Sequence, residues 1–339
     1  MHLSIFSNMA YDLHIAHMLA YNCILLGKRH MKKNKCALFL SVIFICASLI
    51  AGCEKSNDYK FVNLSEKSES KIQTASTSDL KQLRVAVAAM ISPKETLVYY
   101  EELLNYIGKE VGYEIVLIQR KTYSEVNELF PKHMIDLAFV CSGPYANEQE
   151  KYEFEGLATP IVRGKPYYQS YLIVQKNSSY DSLEDLRGKI FAFTDPDSNT
   201  GTLVPRFWLF QLNETPATFF NRTTYTYSHD NSILAVAKGL VDGATIDGHK
   251  WEFYNAKNPY FTSKTRVIKK SDLFGSPPLV ASSFLKPQLK SSIQKVILTM
   301  HKSENGKKIL DNLIIDRFEL PQEEWYKNVQ SMYSKVRQK

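Results

Sequence analysis

From residue 83 onward, two patterns of apolar and polar positions alternate along the chain. Short apolar runs, such as Leu83–Ala88 and Ile190–Thr194, are typical of buried strands. Between them lie longer stretches in which apolar residues recur at helical spacing. The first of these begins at Ser92-Pro93, a capping serine followed by a proline suited to the first helical turn, and ends at Gly112. This alternation predicts an α/β fold with a mainly parallel sheet.

A second strand and helix cycle follows an extended segment at residues 167–174. Its predicted strands are 190–194 and 241–246, its predicted helix spans 231–238, and the tail after residue 287 is helical. Two such units joined by extended crossing segments predict a two-lobed protein with a cleft. We expect lobe one to comprise residues 83–172 and 271–339, and lobe two to comprise residues 173–270.

Residues 31–53 have the layout of a secretory signal. Basic residues follow Met31, an almost wholly apolar run continues to Leu49, and small residues lead to Cys53. The cysteine after Ala51-Gly52 resembles a bacterial lipobox, which implies a lipoprotein signal peptide at 31–52 and lipidation of Cys53. The open alternative is an uncleaved membrane helix, although the run is slightly short for a span of about 20 residues.

The segments on either side of this signal differ from it in composition. Residues 1–30 do not fit a signal, and we expect them to be an over-extended N-terminus, with translation starting at Met31. Residues 54–82 are rich in Ser, Lys, Glu and Thr and cannot bury a core. We therefore expect residues 53–82 to be a lipidated cysteine followed by a flexible tether.

Removal of residues 1–52 changes the charge balance and the cysteine count. The 339-residue chain has a formal net charge of +7, but 37 basic and 34 acidic residues remain in the last 287 residues. The resulting charge of +3 gives no electrostatic footprint for nucleic acid. Only Cys53 and Cys141 remain, and lipidation of Cys53 excludes a disulfide framework. We expect Cys141 to be a small buried residue rather than a nucleophile.

The segment 195–205 carries the clearest candidate chemistry. It follows a strand and opens a helix, where backbone N–H groups and the helix dipole favour an anion. Ser198, Thr200 and Thr202 add hydroxyl donors, and Gly201 allows a ligand to approach the backbone closely. Such a loop can hold a tetrahedral oxyanion without a lysine. The alternative is plain N-capping by Ser198.

The same run, DPDSNTGTLVP, resembles the motif of the phosphate, phosphite and phosphonate-binding proteins of ABC importers. Other segments agree with this family in order along the chain: Leu83–Val87 with Ser92–Thr96, Asp136–Val140, Gly164–Ser170, Ser182–Gly188, His229–Ser232 and Val241–Ala244. The resemblance spans about residues 83–335. It implies an α/β, two-lobed fold of the type II periplasmic-binding-protein kind, with a ligand cleft between the lobes.

The resemblance also implies a set of ligand-binding residues. The oxyanion loop would comprise Ser198, Asn199, Thr200 and Gly201, with Asn199 where the family commonly has threonine. The facing pocket residues would be Tyr123, Tyr168, His229 and Asp247. Each has a plainer alternative: the tyrosines could be core residues, His229 could cap a helix or pair with Asp230, and Asp247 could be an N-cap.

Two further details bear on the choice of ligand. A carboxylate such as Asp247 repels a fully ionised oxyanion but accepts a hydrogen bond from a protonated P–OH, so we expect it to disfavour sulfate. Family members that bind aminoalkylphosphonates hold the amine with two carboxylates, and the matching positions here are His249 and Ser276. We therefore expect phosphate, phosphite or a small alkylphosphonate rather than aminoethylphosphonate.

These observations predict an extracytoplasmic solute-binding lipoprotein of an ABC importer. It would be a monomer, held at the membrane by its lipid, would deliver its ligand to a permease and would bind no nucleic acid. The alternative is a lipoprotein that reports ligand occupancy to a membrane receptor. The histidines lack metal-ligand spacing and no G-x-S-x-G elbow occurs, so we expect no enzyme activity, no cofactor and no metal.

Overall fold

The computed structural model describes residues 81–88 and 92–337. The predicted signal peptide, the lipidated Cys53 and most of the tether lie outside the described residues. Within the part described, no helix combines the length and the apolar character needed to cross a membrane.

The strands belong to two large sheets and one small ladder. They are β1 (Lys81–Val87), β2 (Tyr113–Ile118), β3 (Leu137–Phe139), β4 (Phe154–Ile161), β5 (Tyr167–Tyr168), β6 (Ser170–Gln175), β7 (Ile190–Phe193), β8 (Arg222–Tyr225), β9 (Gly243–Asp247), β10 (Thr265–Lys270), β11 (Phe274–Gly275), β12 (Leu279–Ser282) and β13 (Arg317–Glu319). The six-stranded sheet has the order β13-β4-β12-β3-β1-β2, and the five-stranded sheet has the order β10-β6-β9-β7-β8.

The α-helices connect and cover these strands. They are α1 (Pro93–Val111), α2 (Tyr123–Asn127), α3 (Ser142–Asn147), α4 (Gln149–Tyr152), α5 (Val204–Gln211), α6 (Pro216–Phe219), α7 (His229–Ala237), α8 (Gly248–Lys257), α9 (Pro287–Thr299), α10 (Glu304–Leu313) and α11 (Lys327–Arg337). The α/β class predicted from the alternating pattern is confirmed.

The prediction of a mainly parallel sheet is wrong for both sheets. In the first, β1 pairs parallel with β2 and β3, but β12 pairs antiparallel with β3 and β4, and β13 pairs antiparallel with β4. In the second, β7 pairs parallel with β8 and β9, while β6 pairs antiparallel with β9 and β10. The antiparallel pairs arise because the chain crosses from one sheet to the other and then returns.

This path defines two lobes by their sheets. The chain builds β1 to β4 of the first sheet, crosses to build β6 to β10 of the second, and returns for β12 and β13. We call the first sheet with its helices lobe one, and the second sheet with its helices lobe two. The residue numbers predicted above for the lobe boundaries stay a prediction.

The predicted helical faces pack against the first sheet. Leu103, Leu104 and Ile107 of α1 are buried in one cluster with Ile293 and Ile297 of α9. Helix α1 ends as predicted, because Gly112 adopts the left-handed conformation (φ +74°) and its N–H bonds to the last turn. Burial of each aliphatic side chain contributes about 1.5–3 kcal/mol, so this face anchors lobe one.

Candidate functional site

The oxyanion loop is a single π-turn that leads directly into a helix. β7 ends at Phe193, residues Asn199–Leu203 form the π-turn, and α5 continues from Val204. Ser198 precedes the turn, and its hydroxyl oxygen accepts a hydrogen bond from the Gly201 N–H at 3.0 Å. Plain capping by Ser198 is therefore present. Single π-turns occur often at functional sites, and the first amides of such a helix point outward without intrahelical acceptors.

The two threonines of this loop differ in whether their hydroxyl groups already have a hydrogen-bond partner within the protein. The Thr202 hydroxyl donates to the Asp195 carbonyl at 2.7 Å, so it holds the loop rather than a ligand. The Thr200 carbonyl accepts from the Ser170 hydroxyl at 2.7 Å, while the Thr200 hydroxyl has no hydrogen-bond partner among the residues that the structure describes. Of these two threonines, Thr200 is the one whose hydroxyl is available for an oxyanion.

Gly201 is required by packing against the neighbouring strand end. A Cβ at this position would lie 2.4 Å from the Thr194 Cβ and 2.5 Å from its hydroxyl oxygen. No side chain fits there without moving the strand end or the loop. Glycine is therefore needed at position 201 for packing against Thr194. The prediction that its lack of a side chain allows a ligand to approach the backbone is wrong.

The two predicted pocket tyrosines are fully buried hydrogen-bonding groups. The Tyr123 hydroxyl lies 3.4 Å from the His229 Nε2, and the Tyr168 hydroxyl lies 2.5 Å from the Ser142 hydroxyl and accepts from the Asn199 Nδ2 at 3.2 Å. Burial raises the pKa of both tyrosines well above the usual value. Both therefore stay neutral and can donate their O–H to an anion.

His229 begins α7 and is held in one tautomer. Its Nδ1 accepts the Asp247 N–H at 3.1 Å and lies 3.2 Å from the Thr194 hydroxyl. A ring nitrogen that accepts from a backbone amide carries no proton, so the proton is on Nε2. Burial lowers the pKa of His229 to about 4, and the ring is a neutral donor at physiological pH. It faces Tyr123 rather than pairing with Asp230.

Asp247 ends β9 and caps α8. Its Oδ1 accepts the N–H groups of His249 at 2.8 Å and Lys250 at 3.3 Å, so the capping alternative is present here too. Its other carboxylate oxygen has no hydrogen-bond partner within the described ranges 81–88 and 92–337. Asp247 is 2% exposed. The carboxylate thus combines a structural role with one oxygen available to a donor.

Hydrogen bonds join five of the predicted site residues into two groups. Asp247, His229 and Tyr123 are joined as described above, and Asn199 is joined to Tyr168. Thr194 joins the first group to the oxyanion loop, because its hydroxyl contacts His229 and its N–H donates to the Gly201 carbonyl at 3.2 Å. The arrangement presents several neutral donors and one carboxylate.

Asp195 is a buried carboxylate whose role sequence reasoning missed. Its two oxygens accept the Tyr123 N–H at 3.1 Å and the Asp197 N–H at 2.9 Å, which joins α2 of lobe one to the loop of lobe two. Burial raises its pKa to about 6. In the sequence, the only indication of this role is a carboxylate directly after a predicted strand. The contact itself could not be predicted, because Tyr123 lies 72 residues away along the chain.

No cluster of three or more His, Cys, Asp or Glu side chains in the described part of the chain could hold a metal ion. Cys141 is buried, and burial raises the pKa of its thiol to about 12. Its sulfur accepts the Asn199 N–H at 3.4 Å, so it supports the oxyanion loop.

The buried His229 gives a pH-dependent stability. Between pH 6.5 and 4 the unfolded chain binds a proton at this residue and the folded chain does not, so the free energy of unfolding falls as the pH falls. The shift corresponds to about 3 kcal/mol. Asp195 opposes this below pH 6, because its raised pKa lets the folded chain bind a proton first. In the wild type the two contributions largely offset each other between pH 6 and 4, whereas in His229→Gln only that of Asp195 remains. We therefore expect the free energy of unfolding of His229→Gln, measured in urea, to rise relative to the wild type as the pH falls over this range, and parallel profiles would contradict this.

Comparison with known proteins identifies the family. A sequence model described as "ABC transporter, phosphonate, periplasmic substrate-binding protein" matches residues 85–326. The chain is 26% identical over 238 residues to the phosphonates-binding periplasmic protein of Escherichia coli, across 69% of this chain and 70% of that protein. It is also 26% identical over 181 residues to a protein of Prochlorococcus marinus named as a probable ABC transporter phosphite binding protein, across 50% of this chain and 61% of that protein.

Solved structures share the fold. A binding protein component of an ABC phosphonate transporter from Pseudomonas aeruginosa has a TM-score of 0.72 at 24% identity, over 76% of this chain and 87% of that one. A Prochlorococcus marinus protein in complex with methylphosphonate has a TM-score of 0.69 at 21% identity, over 76% and 98%. Members of the matched family are extracytoplasmic transport proteins, not enzymes. Because the family model covers most of the chain, this protein belongs to the phosphonate family of periplasmic substrate-binding proteins of ABC transporters.

Proposed function

We propose that the chain binds a phosphorus oxyanion between its lobes, and that the ligand is phosphate, phosphite or a small alkylphosphonate. The observation that carries the proposal is the convergence of neutral donors and one carboxylate. Tyr123, Tyr168, Thr200 and His229 can donate to phosphonyl oxygens, and Asp247 can accept from a protonated one. The names of the relatives in Escherichia coli and Prochlorococcus marinus, phosphonates-binding and phosphite binding, support the same chemistry.

The ligand would be released to a membrane permease by opening of the cleft. Asp195 accepts the Tyr123 N–H across the cleft, and the Asp230 Oδ1 accepts the Ser92 N–H at 2.9 Å. These two contacts join lobe two to lobe one and would break when the lobes separate. The Tyr123–His229 and Lys250–Tyr100 contacts also run between the lobes, so ligand contacts would add to direct bonds that already hold the closed state.

Thermal melting tests the proposed ligand class. We expect methylphosphonate, phosphate or phosphite to raise the melting temperature, and sulfate to leave it unchanged. A ligand at a thousandfold excess over its dissociation constant stabilises the folded state by about 4 kcal/mol. Thr200→Val, which keeps the size but removes the hydroxyl, should reduce the shift. Equal shifts with sulfate and with the phosphorus compounds would contradict the proposal.

We also propose that Cys53 carries the lipid anchor and that the protein is a monomer. The basic, apolar and small-residue order of residues 31–53 supports the anchor. Mass spectrometry of the mature protein tests it, because lipidation at Cys53 predicts an acylated N-terminal peptide that Cys53→Ser lacks. An unmodified Cys53 peptide in the wild type would contradict the anchor.

A further inference from the structure

A cavity lies beside the residues proposed to bind the phosphoryl group. Its volume is about 80 Å³, and Asp247 lines it. His249, another lining residue, lies with its ring centroid 6.1 Å from that of Tyr168. Two residues thus connect the cavity to the oxyanion site, so a substituent on the phosphorus atom would extend into it.

The walls of this cavity are mostly apolar, and two of its polar side chains, Ser276 and Lys250, can donate a hydrogen bond to a ligand. Apolar lining comes from both lobes, including Phe139, Pro277 and Phe253. The Ser276 hydroxyl also lines the cavity and is fully buried without any hydrogen-bond partner in the described part of the chain. A buried hydroxyl without a partner is unfavourable, so an acceptor on a bound group would stabilise this site by supplying the missing hydrogen bond.

Lys250 places a positive charge in the same cavity. Its ammonium donates to the Tyr100 hydroxyl at 3.3 Å across the cleft, and it makes no ion pair with a carboxylate of the described chain. Burial opposes the charge, but the nearby Tyr100 and Asp247 together raise the pKa of Lys250. The ammonium therefore stays charged and has donor capacity left for a ligand.

The other charges that line the cavity are engaged with each other. Arg163 and Glu252 form an ion pair at 2.5 Å, and Glu252 also accepts from the Tyr171 hydroxyl. Asp247 uses one oxygen for the α8 amides and offers the other to the phosphoryl group. An incoming substituent would thus meet Lys250, which has donor capacity left, and the unpartnered hydroxyl of Ser276.

We propose that the cavity binds an anionic substituent, so that the preferred ligand is a short carboxyalkylphosphonate. Lys250 and Ser276 would donate to the carboxylate, while Phe139 and Pro277 would contact its methylene groups. This inference rests on the proposed phosphorus-oxyanion function of the neighbouring site. It goes beyond that function because it names the charge of the group attached to phosphorus.

The cavity volume limits the length of this group. At about 80 Å³ it exceeds the roughly 10–15 Å³ that one water needs, and it is about half of the roughly 150 Å³ cavity that takes benzene. A carboxyl group on one or two methylenes fits these limits, whereas an aromatic ring does not. An amine of equal length would be repelled by the Lys250 ammonium.

Calorimetric titration of the full chain tests the inference with four ligands: methylphosphonate, propylphosphonate, 2-carboxyethylphosphonate and 2-aminoethylphosphonate. We expect the wild type to bind the carboxyethyl compound at least about tenfold more tightly than the propyl compound, which has the same chain length. The aminoethyl compound should bind more weakly than either. In Lys250→Met, of similar length but uncharged, the ratio between the carboxyethyl and propyl affinities should fall to near one.

Each outcome decides between the two proposals. If methylphosphonate binds but the carboxyethyl compound binds no better than the propyl compound, the inference is overturned and the proposed function stands. If the preference exists but survives in both Lys250→Met and Ser276→Ala, its assignment to this cavity is overturned. If no phosphonate binds to a wild type that melts cooperatively, the proposed function itself fails.

Discussion

Replacing Asp247 with asparagine is expected to remove the discrimination between phosphorus oxyanions and sulfate. The Oδ1 of Asp247 is committed to the N–H groups of His249 and Lys250. An asparagine that keeps this cap must place its NH₂ group where the second carboxylate oxygen now lies. The site then offers a donor where it offered an acceptor, so a protonated P–OH loses its partner and a fully ionised sulfate gains one.

The expected loss of affinity for the phosphorus ligand is roughly ten- to a hundredfold, the value of a hydrogen bond to a charged group. Calorimetry with methylphosphonate and sulfate measures both changes in one variant. Asparagine caps helices about as well as aspartate, so the fold should be unaffected. Asp247→Ala provides the control, because it loses the cap and about 1 kcal/mol of stability without supplying a new donor. Unchanged exclusion of sulfate by Asp247→Asn would show that this carboxylate does not select the ligand.

Replacing Gly201 with alanine is expected to cause the largest loss of stability among single changes at the site. The new Cβ would overlap the Thr194 Cβ, which the backbone beside a buried strand holds in place, so no change of side-chain rotamer relieves the contact. Overpacking of this kind costs about 1–3 kcal/mol, and we expect the upper end because the neighbour is rigid. The displaced loop should also lose ligand affinity. Chemical denaturation measures the first effect and calorimetry the second.

A second substitution separates overpacking from other causes. Thr194→Gly removes the side-chain atoms that the new Cβ at position 201 would meet, at the cost of the hydrogen bonds that the Thr194 hydroxyl makes. In the Thr194→Gly background, Gly201→Ala should therefore cost much less than in the wild type, which a double-mutant cycle detects. Equal costs in both backgrounds would mean that the contact with Thr194 does not explain the glycine.

The sequence predicts the local elements of this fold better than their pairing. Buried runs such as 83–88 and 190–194 became strands, and the helix bounded by Ser92 and Gly112 formed as expected. Ser92 occupies the N-cap position, although its side chain makes no capping bond. The antiparallel direction of β12 and β13 could not be predicted from the sequence. Their partners β3 and β4 lie more than a hundred residues earlier in the chain, and the pairing depends on the path by which the chain returns to them.

The candidate site shows the same limit at the level of single side chains. The segment 195–205 has a local signal, since hydroxyl residues and a glycine open a helix after a strand. By contrast, the sequence around Tyr123, Tyr168 and His229 does not indicate a binding role. We predicted that role from the family resemblance alone. Asp195 and Lys250 were missed, because their partners lie across the cleft and far away in sequence.

A crystal structure of the chain with methylphosphonate would test the central claim most directly. We expect phosphonyl oxygens within hydrogen-bonding distance of the Thr200 N–H and hydroxyl, the Tyr123 hydroxyl and the His229 Nε2. We also expect one protonated oxygen against Asp247, and the methyl group directed towards Ser276 and Lys250. Methylphosphonate bound elsewhere, or bound without contact to Thr200 and His229, would contradict the proposed site.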